Sequence, residues 1–182
     1  MRKLLVLLLL PILLCSCIPY FVNPISDICD AHVDERLIGT WIREQENGKD
    51  FLHIGRGDKN WMKFVSQEQA RNYAIEVDQM FVSNVDGRTF LNYEWTEDEP
   101  KRVLGYMFFE WEIRDEDYLV FYEIDWEFVR KAVENKTLLG RIGPDDEVIV
   151  LANSSEIRAF IRNSPKENLF PKEWMKFKRL NF

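Results

Sequence analysis

RNYAIEVDQMFVSNVDGRTFLNYEWTEDEPKRVLGYMFFEWEIRDEDYLVFYEID, residues 71–125, is the stretch on which the fold turns. Apolar and polar residues alternate along most of it with period two, as strands with two unlike faces do. Asn72–Val85 returns as Thr89–Thr96 in a first hairpin. Tyr73, Ile75, Val77, Phe81 and Val85 share one face, and Leu91, Tyr93 and Trp95 share one face of the return strand. The turn carries Asp86-Gly87, a strong hairpin signal. A two-residue turn sets Phe81 opposite Asn92 and mixes the faces. A three-residue loop, Val85-Asp86-Gly87, sets Phe81 opposite Leu91 and Val77 opposite Trp95. Because register must keep one face buried, the three-residue loop is predicted.

The second hairpin runs Val103–Ile113 and returns as Tyr118–Ile124 around Arg114-Asp115-Glu116-Asp117. That loop pairs Ile113 with Tyr118, Trp111 with Val120, Phe109 with Tyr122 and Met107 with Ile124, an apolar face throughout. The other face carries Phe108, Glu110, Glu112, Leu119, Phe121 and Glu123, a mixed and partly wet surface. One-sided burial of this kind belongs to antiparallel sheets and barrels.

Outward from this centre, Phe51–Ile54 and Trp61–Val65 read as short strands joined by a turn containing Arg56-Gly57-Asp58. That tripeptide matches an integrin ligand, but Gly and Asp are ordinary turn residues. Asp125 caps a helix over Trp126–Glu134, with Phe128, Val129, Ala132 and Val133 inward. Glu147–Leu151 is a short buried strand. Asn153 and Glu156 form a capping box for a helix through Arg162, and Trp174–Leu180 is a closing strand with Lys176 and Lys178 outward. The predicted fold is mainly β: an antiparallel barrel or strongly curved sheet of about eight to ten strands with two short helices. An open α+β sheet is the alternative.

Met1-Arg2-Lys3 followed by the apolar Leu4–Leu14 reads as a secretory signal, too short in its apolar part to span a bilayer as a mature helix. Leu14-Cys15-Ser16-Cys17 resembles the lipobox of bacterial lipoproteins, with an aliphatic residue at −3, a small one at −1 and then the acylated cysteine. The resemblance implies cleavage after residue 16, acylation of Cys17 and attachment to a membrane by its acyl chains. Ile18, where inner-membrane lipoproteins carry Asp, implies the outer membrane, facing the periplasm. In the bacterial setting that the resemblance implies, the triplets Asn135-Lys136-Thr137 and Asn153-Ser154-Ser155 carry no expectation of glycosylation. The organisation expected is a signal over 1–16, an acylated terminus and tether over 17–36, and one domain over 37–182. Ile18–Arg36, with Pro19, Pro24 and aperiodic aromatics, reads as that tether.

Leu37-Ile38-Gly39-Thr40-Trp41 opens the folded body. Gly39 and Trp41 at the start of a first strand resemble the signature of lipocalins and related calycin barrels. The resemblance implies that Trp41 closes one barrel end and packs against a basic residue near the chain end, for which Arg179 is the candidate.

Without its signal the chain has 22 basic and 31 acidic residues, a balance of −9. Such a charge disfavours nucleic acid and electrostatic adhesion to anionic lipid, and favours a basic partner. Once Cys17 is acylated, Cys29 is the one free thiol, so no internal disulfide forms. His32 and His53 are the only histidines. No zinc-like spacing and no phosphate-cradling glycine loop occurs, so no catalytic residue, metal or cofactor is assigned. Glu110, Glu112 and Glu123 are the one catalytic resource, as a possible acid and base pair for glycan hydrolysis; the simpler reading is a solvated sheet face. Large rings such as Trp41, Phe109 and Trp111 are expected to fill the barrel, leaving a shallow mouth. Gln79, Ser83, Tyr93, Trp95, Trp111 and Tyr122 are the expected lining for a compact amphipathic ligand. The expected function is therefore a non-enzymatic, lipid-anchored binding or scaffolding module. An inhibitor or immunity partner of a basic enzyme such as lysozyme, and a carboxylate-dependent glycan hydrolase, are the alternatives.

Overall fold

The structure is a computed structural model that describes residues 19–46, 48–69, 72–98 and 101–180, without the side chains of 97, 98, 101 and 102. The signal segment and Cys17 lie outside the described residues. The strands are β1 (Tyr20–Phe21), β2 (Gly39–Gln45), β3 (Gly48–Arg56), β4 (Met62–Glu68), β5 (Ala74–Val85), β6 (Arg88–Asp98), β7 (Lys101–Arg114), β8 (Tyr118–Glu123), β9 (Gly140–Ile142), β10 (Val148–Val150) and β11 (Lys172–Arg179). Three short helices interrupt them: α1 (Trp126–Glu134), α2 (Ser154–Asn163) and α3 (Lys166–Leu169). Antiparallel pairing runs β2-β3-β4-β5-β6-β7-β8-β11 and returns from β11 to β2, closing an eight-stranded barrel. The upper half of β7 extends past β8 and there pairs with β1, which continues the sheet to β10 and β9. The barrel was expected; the three-strand extension and α3 were not.

Two apolar cores share the central strands. Leu37, Trp41, Leu52, Ile54, Met62, Phe64, Val82, Leu91, Trp111, Leu119, Phe121 and Phe177 fill the barrel. A second core lies outside the wall, where Phe21, Ile25, Val85, Phe90 and Phe108 meet Val129, Val133, Ile157 and Ile161 of the two longer helices. Asp125 Oδ1 accepts from the Phe128 N–H at 2.8 Å and starts α1, while Asn153 and Glu156 form the expected capping box of α2.

The doubly covered wall overturns the first predicted register. Phe81 pairs with Asn92 and Val82 with Leu91, around a two-residue turn in which Asp86 (φ 50°) and Gly87 (φ 82°) are both left-handed. Val82 and Leu91 point into the barrel, whereas Phe81, Val85, Phe90 and Asn92 are buried on the outside. Keeping one face apolar was the wrong criterion for strands buried on both. The second register is also corrected by one residue. Arg114 pairs with Tyr118, Trp111 with Phe121 and Phe109 with Glu123, around Asp115-Glu116-Asp117, of which the first two adopt left-handed backbone. Leu119 and Phe121 therefore face the barrel interior, and Tyr122 faces out.

The tether prediction fails from Tyr20 onward. Phe21, Ile25 and Ala31 are buried, β1 is hydrogen-bonded into the sheet, and His32 bridges to Val82. Asn92 holds this segment down. Its Oδ1 accepts from the Ile25 N–H at 2.9 Å, and its Nδ2 donates to Ser83 Oγ at 2.8 Å and to the Phe81 carbonyl at 3.2 Å. Ser83 Oγ lies 2.6 Å from Ser26 Oγ. A buried amide with each group matched in this way anchors a chain without an unsatisfied partner.

Candidate functional site

One end of the barrel is shut and the other is open. At the shut end the Trp41 indole donates to the Leu37 carbonyl at 2.9 Å. The Arg179 guanidinium carbon lies 4.1 Å from the Trp41 ring centroid and Arg36 lies 5.2 Å from that of Trp111, both within cation–π range. Arg179 also donates to the carbonyls of Ile38 (3.1 Å) and Arg36. Gly39 leaves room for it: its φ is 142°, and a Cβ there would sit 3.1 Å from the Arg179 Nη1.

At the open end the inward-facing residues change character. Leu52, Phe64, Met80, Leu91, Phe109 and Phe121 floor a cavity of about 100 Å³, and Ser66 and Asp78 stand on its wall. Trp174, half-exposed, roofs it, its ring stacked on Phe109 at 4.9 Å and 10°. The two polar groups reach this place because β4 and β5 keep their inward parity beyond the point where the apolar filling ends. Burial pushes the Asp78 carboxyl up; a hydrogen bond from Tyr93 opposes that shift and the neighbouring Glu76 charge adds to it. A carboxyl above an apolar floor, beneath an aromatic roof, is a receptor for a compact cation on an apolar stem. A wider, open groove of about 970 Å³ runs between α1 and α2, floored by Phe128 and Phe160. None of the groups with a displaced pKa lies in it.

Of the six predicted lining residues, Tyr93 reaches the mouth through Asp78. Gln79 is exposed, opposite Lys63 on the outer wall. Ser83 is buried outside the barrel beside Asn92, and Tyr122 is outside as well, donating to Glu112 Oε1 at 2.8 Å. Trp111 is deep filling, and its indole N–H has no hydrogen-bond partner among the described residues. Trp95 lies on the inner face beyond the mouth, edge-on to Tyr20 at 5.7 Å. Sequence reasoning missed Ser66, Asp78 and Trp174. The signal was available for Asp78, a lone acid between Val77 and Met80 at an inward position, but only once the β5 parity was right.

The glutamate cluster is taken apart by the corrected register. Glu123 pairs with Phe109 and Glu110 with Tyr122, so the two carboxylates lie on opposite faces of the sheet. Glu110 is buried and held by Arg88 through both oxygens (3.1 and 2.6 Å), with the Lys166 ammonium at 3.4 Å. For Glu112, burial raises the carboxyl, but hydrogen bonds from Tyr122 and Arg114 and the charges of Lys166 and Arg114 outweigh it and hold the group below its usual range. These are ion-pair ties between α3, β7 and the wall. No family model matches the chain, and no curated protein and no solved structure matches it either.

Proposed function

We propose that the chain is a lipid-anchored bacterial envelope protein with a calycin-like barrel, acting as a binding module rather than an enzyme. In this reading Cys17 carries the acyl chains, the body faces the periplasm from the outer membrane, and the barrel mouth takes an ammonium or guanidinium group on a short apolar stem. The observation that carries the reading is Asp78 with Ser66 over the apolar floor roofed by Trp174. The filled barrel beneath supports a shallow site and leaves no room for a long acyl chain. The packing of Arg179 over Trp41 supports the calycin likeness. The pair of carboxylates that a glycan hydrolase needs is not assembled from Glu110 and Glu123, which removes the support for that alternative.

A cavity of this size also fits the end of one basic side chain. With a balance of −9 beyond the signal, the cation is presented most readily by a basic protein partner, as in the inhibitor or immunity alternative. The test is titration of the full protein with n-butylammonium, followed by the indole resonance of Trp174. Binding is expected, weakening as the pH falls and Asp78 takes up a proton, and lost in Asp78→Asn. Equal binding by Asp78→Asn overturns the site. A stoichiometric fatty acid or phospholipid in the native mass spectrum, beyond the covalent anchor, overturns the filled-barrel reading.

A further inference from the structure

Beyond the mouth, the inner face of the wall continues as an apolar surface whose outlying members, Trp95, Val22 and Leu151, are exposed, while Ile149 within it is buried. Leu91 and Phe109 pair at the cavity, Tyr93 and Met107 pair next, and Trp95 and Gly105 follow. Here β1 adds Tyr20 beside Met107, β10 adds Ile149 beside Tyr20, and Leu151, just past β10, follows on the side of Val22, whose N–H donates to the Val150 carbonyl. The in-register residues of one face therefore run Tyr93, Met107, Trp95, Tyr20, Val22 and Leu151. Trp95 is 41% exposed, Val22 44% and Leu151 40%, and Leu139, whose carbonyl accepts from the Leu151 N–H, is 59% exposed. The two longer helices cover the opposite face of this extension. Gly105 is required for the surface to form: a Cβ there would stand 2.8 Å from both the Tyr20 ring and the Phe21 carbonyl. Among the described residues the charged ones at these register positions are Arg141, paired with Ile149, and Glu123, paired with Phe109 at the cavity.

The length of chain leading to this surface decides what covers it. Cys17 is separated from Tyr20 by Ile18 and Pro19 alone, and three residue steps reach at most about 11 Å. A tether running to Arg36 would have let the body stand well clear of its anchor; a sheet that begins at Tyr20 does not.

We propose that this face lies on the phospholipid bilayer in the anchored protein, with Tyr20 and Trp95 at the headgroup boundary and the barrel mouth turned toward the membrane surface. The inference rests on the acylation of Cys17 proposed above. The contact is apolar, because the rest of the chain carries the charge that anionic lipid repels. Rings with one polar tip on a wet, apolar boundary suit this position. Its consequence for the site is that a ligand reaches Asp78 from the headgroup layer.

The test uses the full acylated protein reconstituted into phosphatidylcholine vesicles with and without brominated acyl chains. Fatty-acid labelling of the wild type and of Cys17→Ser first reports the anchor. Trp95 emission is then isolated as the difference between wild type and Trp95→Phe. Bromolipid is expected to lower that difference about twofold or more, as for a ring at the headgroup boundary, and high salt is expected to leave the quenching unchanged. Trp95→Asp, at an exposed position, is expected to keep the circular dichroism of the wild type and the fatty-acid label. A labelled protein whose Trp95 is not quenched overturns the docking while sparing the anchor. An unlabelled protein overturns both.

Discussion

The barrel interior and the outer core draw on the same strands and obey different rules. Inside, every buried contributor but Leu37 comes from a strand, and alternate residues of β2–β8 and β11 converge as period two demands. Outside, the wall of β5–β7 meets helices, and its burial is completed by Phe21 and Ile25 from the segment before the barrel begins. A strand serving one core alternates; a strand serving both is apolar on both faces and loses its signature. That is why Phe81 and Val82, adjacent and both fully buried, face opposite sides of the wall. The polar members of the two regions differ in the same way. The barrel keeps its acid, Asp78, at an open mouth, and the outer wall buries Asn92 and Glu110 with their partners in place.

The largest test of this contrast removes a ring from each core. Phe64→Ala in the barrel and Phe90→Ala in the outer core are each expected to cost about 3–5 kcal/mol. Denaturant unfolding followed by tryptophan emission and far-ultraviolet circular dichroism should show one shared transition for both, because the cores share a wall. Helices that melt before the barrel in Phe90→Ala would make them separate units.

Glu110→Gln comes next. It leaves Arg88 with a neutral partner in a site where the guanidinium is 22% exposed. A loss of about 2–3 kcal/mol is expected, below the range for a fully buried pair, and differential scanning calorimetry measures it. No loss would mean that Lys166 and solvent suffice for the outer wall.

Asn92→Ala probes the joint between the regions. It strands the Ile25 N–H and the Ser83 hydroxyl, for an expected cost of about 1–3 kcal/mol. Amide exchange should quicken at Phe21 and Ile25 while Trp41 and Leu52 keep their protection. Quickening everywhere would mean that the first segment is integral to barrel stability.

Asp78→Asn has the smallest effect and the opposite sign. A carboxyl whose folded pKa is raised binds its proton more tightly in the native state, so it stabilises at low pH and loses that contribution as the pH rises through the unfolded and then the folded value. The variant is therefore expected to be more stable than wild type at neutral pH, by less than about 1 kcal/mol given the partial exposure of the group. The two should converge in acid. Urea midpoints at both pH values decide it.

The barrel, its central hairpins, the span of α1 and both helix caps were legible in the chain, because each rests on local chemistry: Asp86-Gly87, Asp125, Asn153 with Glu156. Register was not. Whether Asn92 may be buried depends on the Ile25 N–H, 67 positions away, and no local pattern carries that information. The mouth was misplaced for the same reason. One residue of slip exchanges inside for outside, which moved Ser83 and Tyr122 out of the site and hid Asp78. The sheet position of Tyr20 and Phe21 was hidden because a two-residue strand has no period to read.

The closure of the barrel is uneven. Seven residue pairs join β2 to β3, seven join β3 to β4, and only two, Lys178 with Ile42 and Arg179 with Trp41, join β11 to β2. The Leu180 N–H adds one bond to the Thr40 carbonyl at 2.8 Å. Arg179 thus works as a clasp, its side chain fastening the carbonyls of Ile38 and Arg36 across a seam that the backbone barely stitches. Pulled from its two ends, such a cylinder unbuttons along that line, and the strands peel apart as a flat ribbon with the remaining ladders intact. The guanidinium stacked on Trp41 is therefore the latch of the whole tube, and it sits three positions from the end of the sequence.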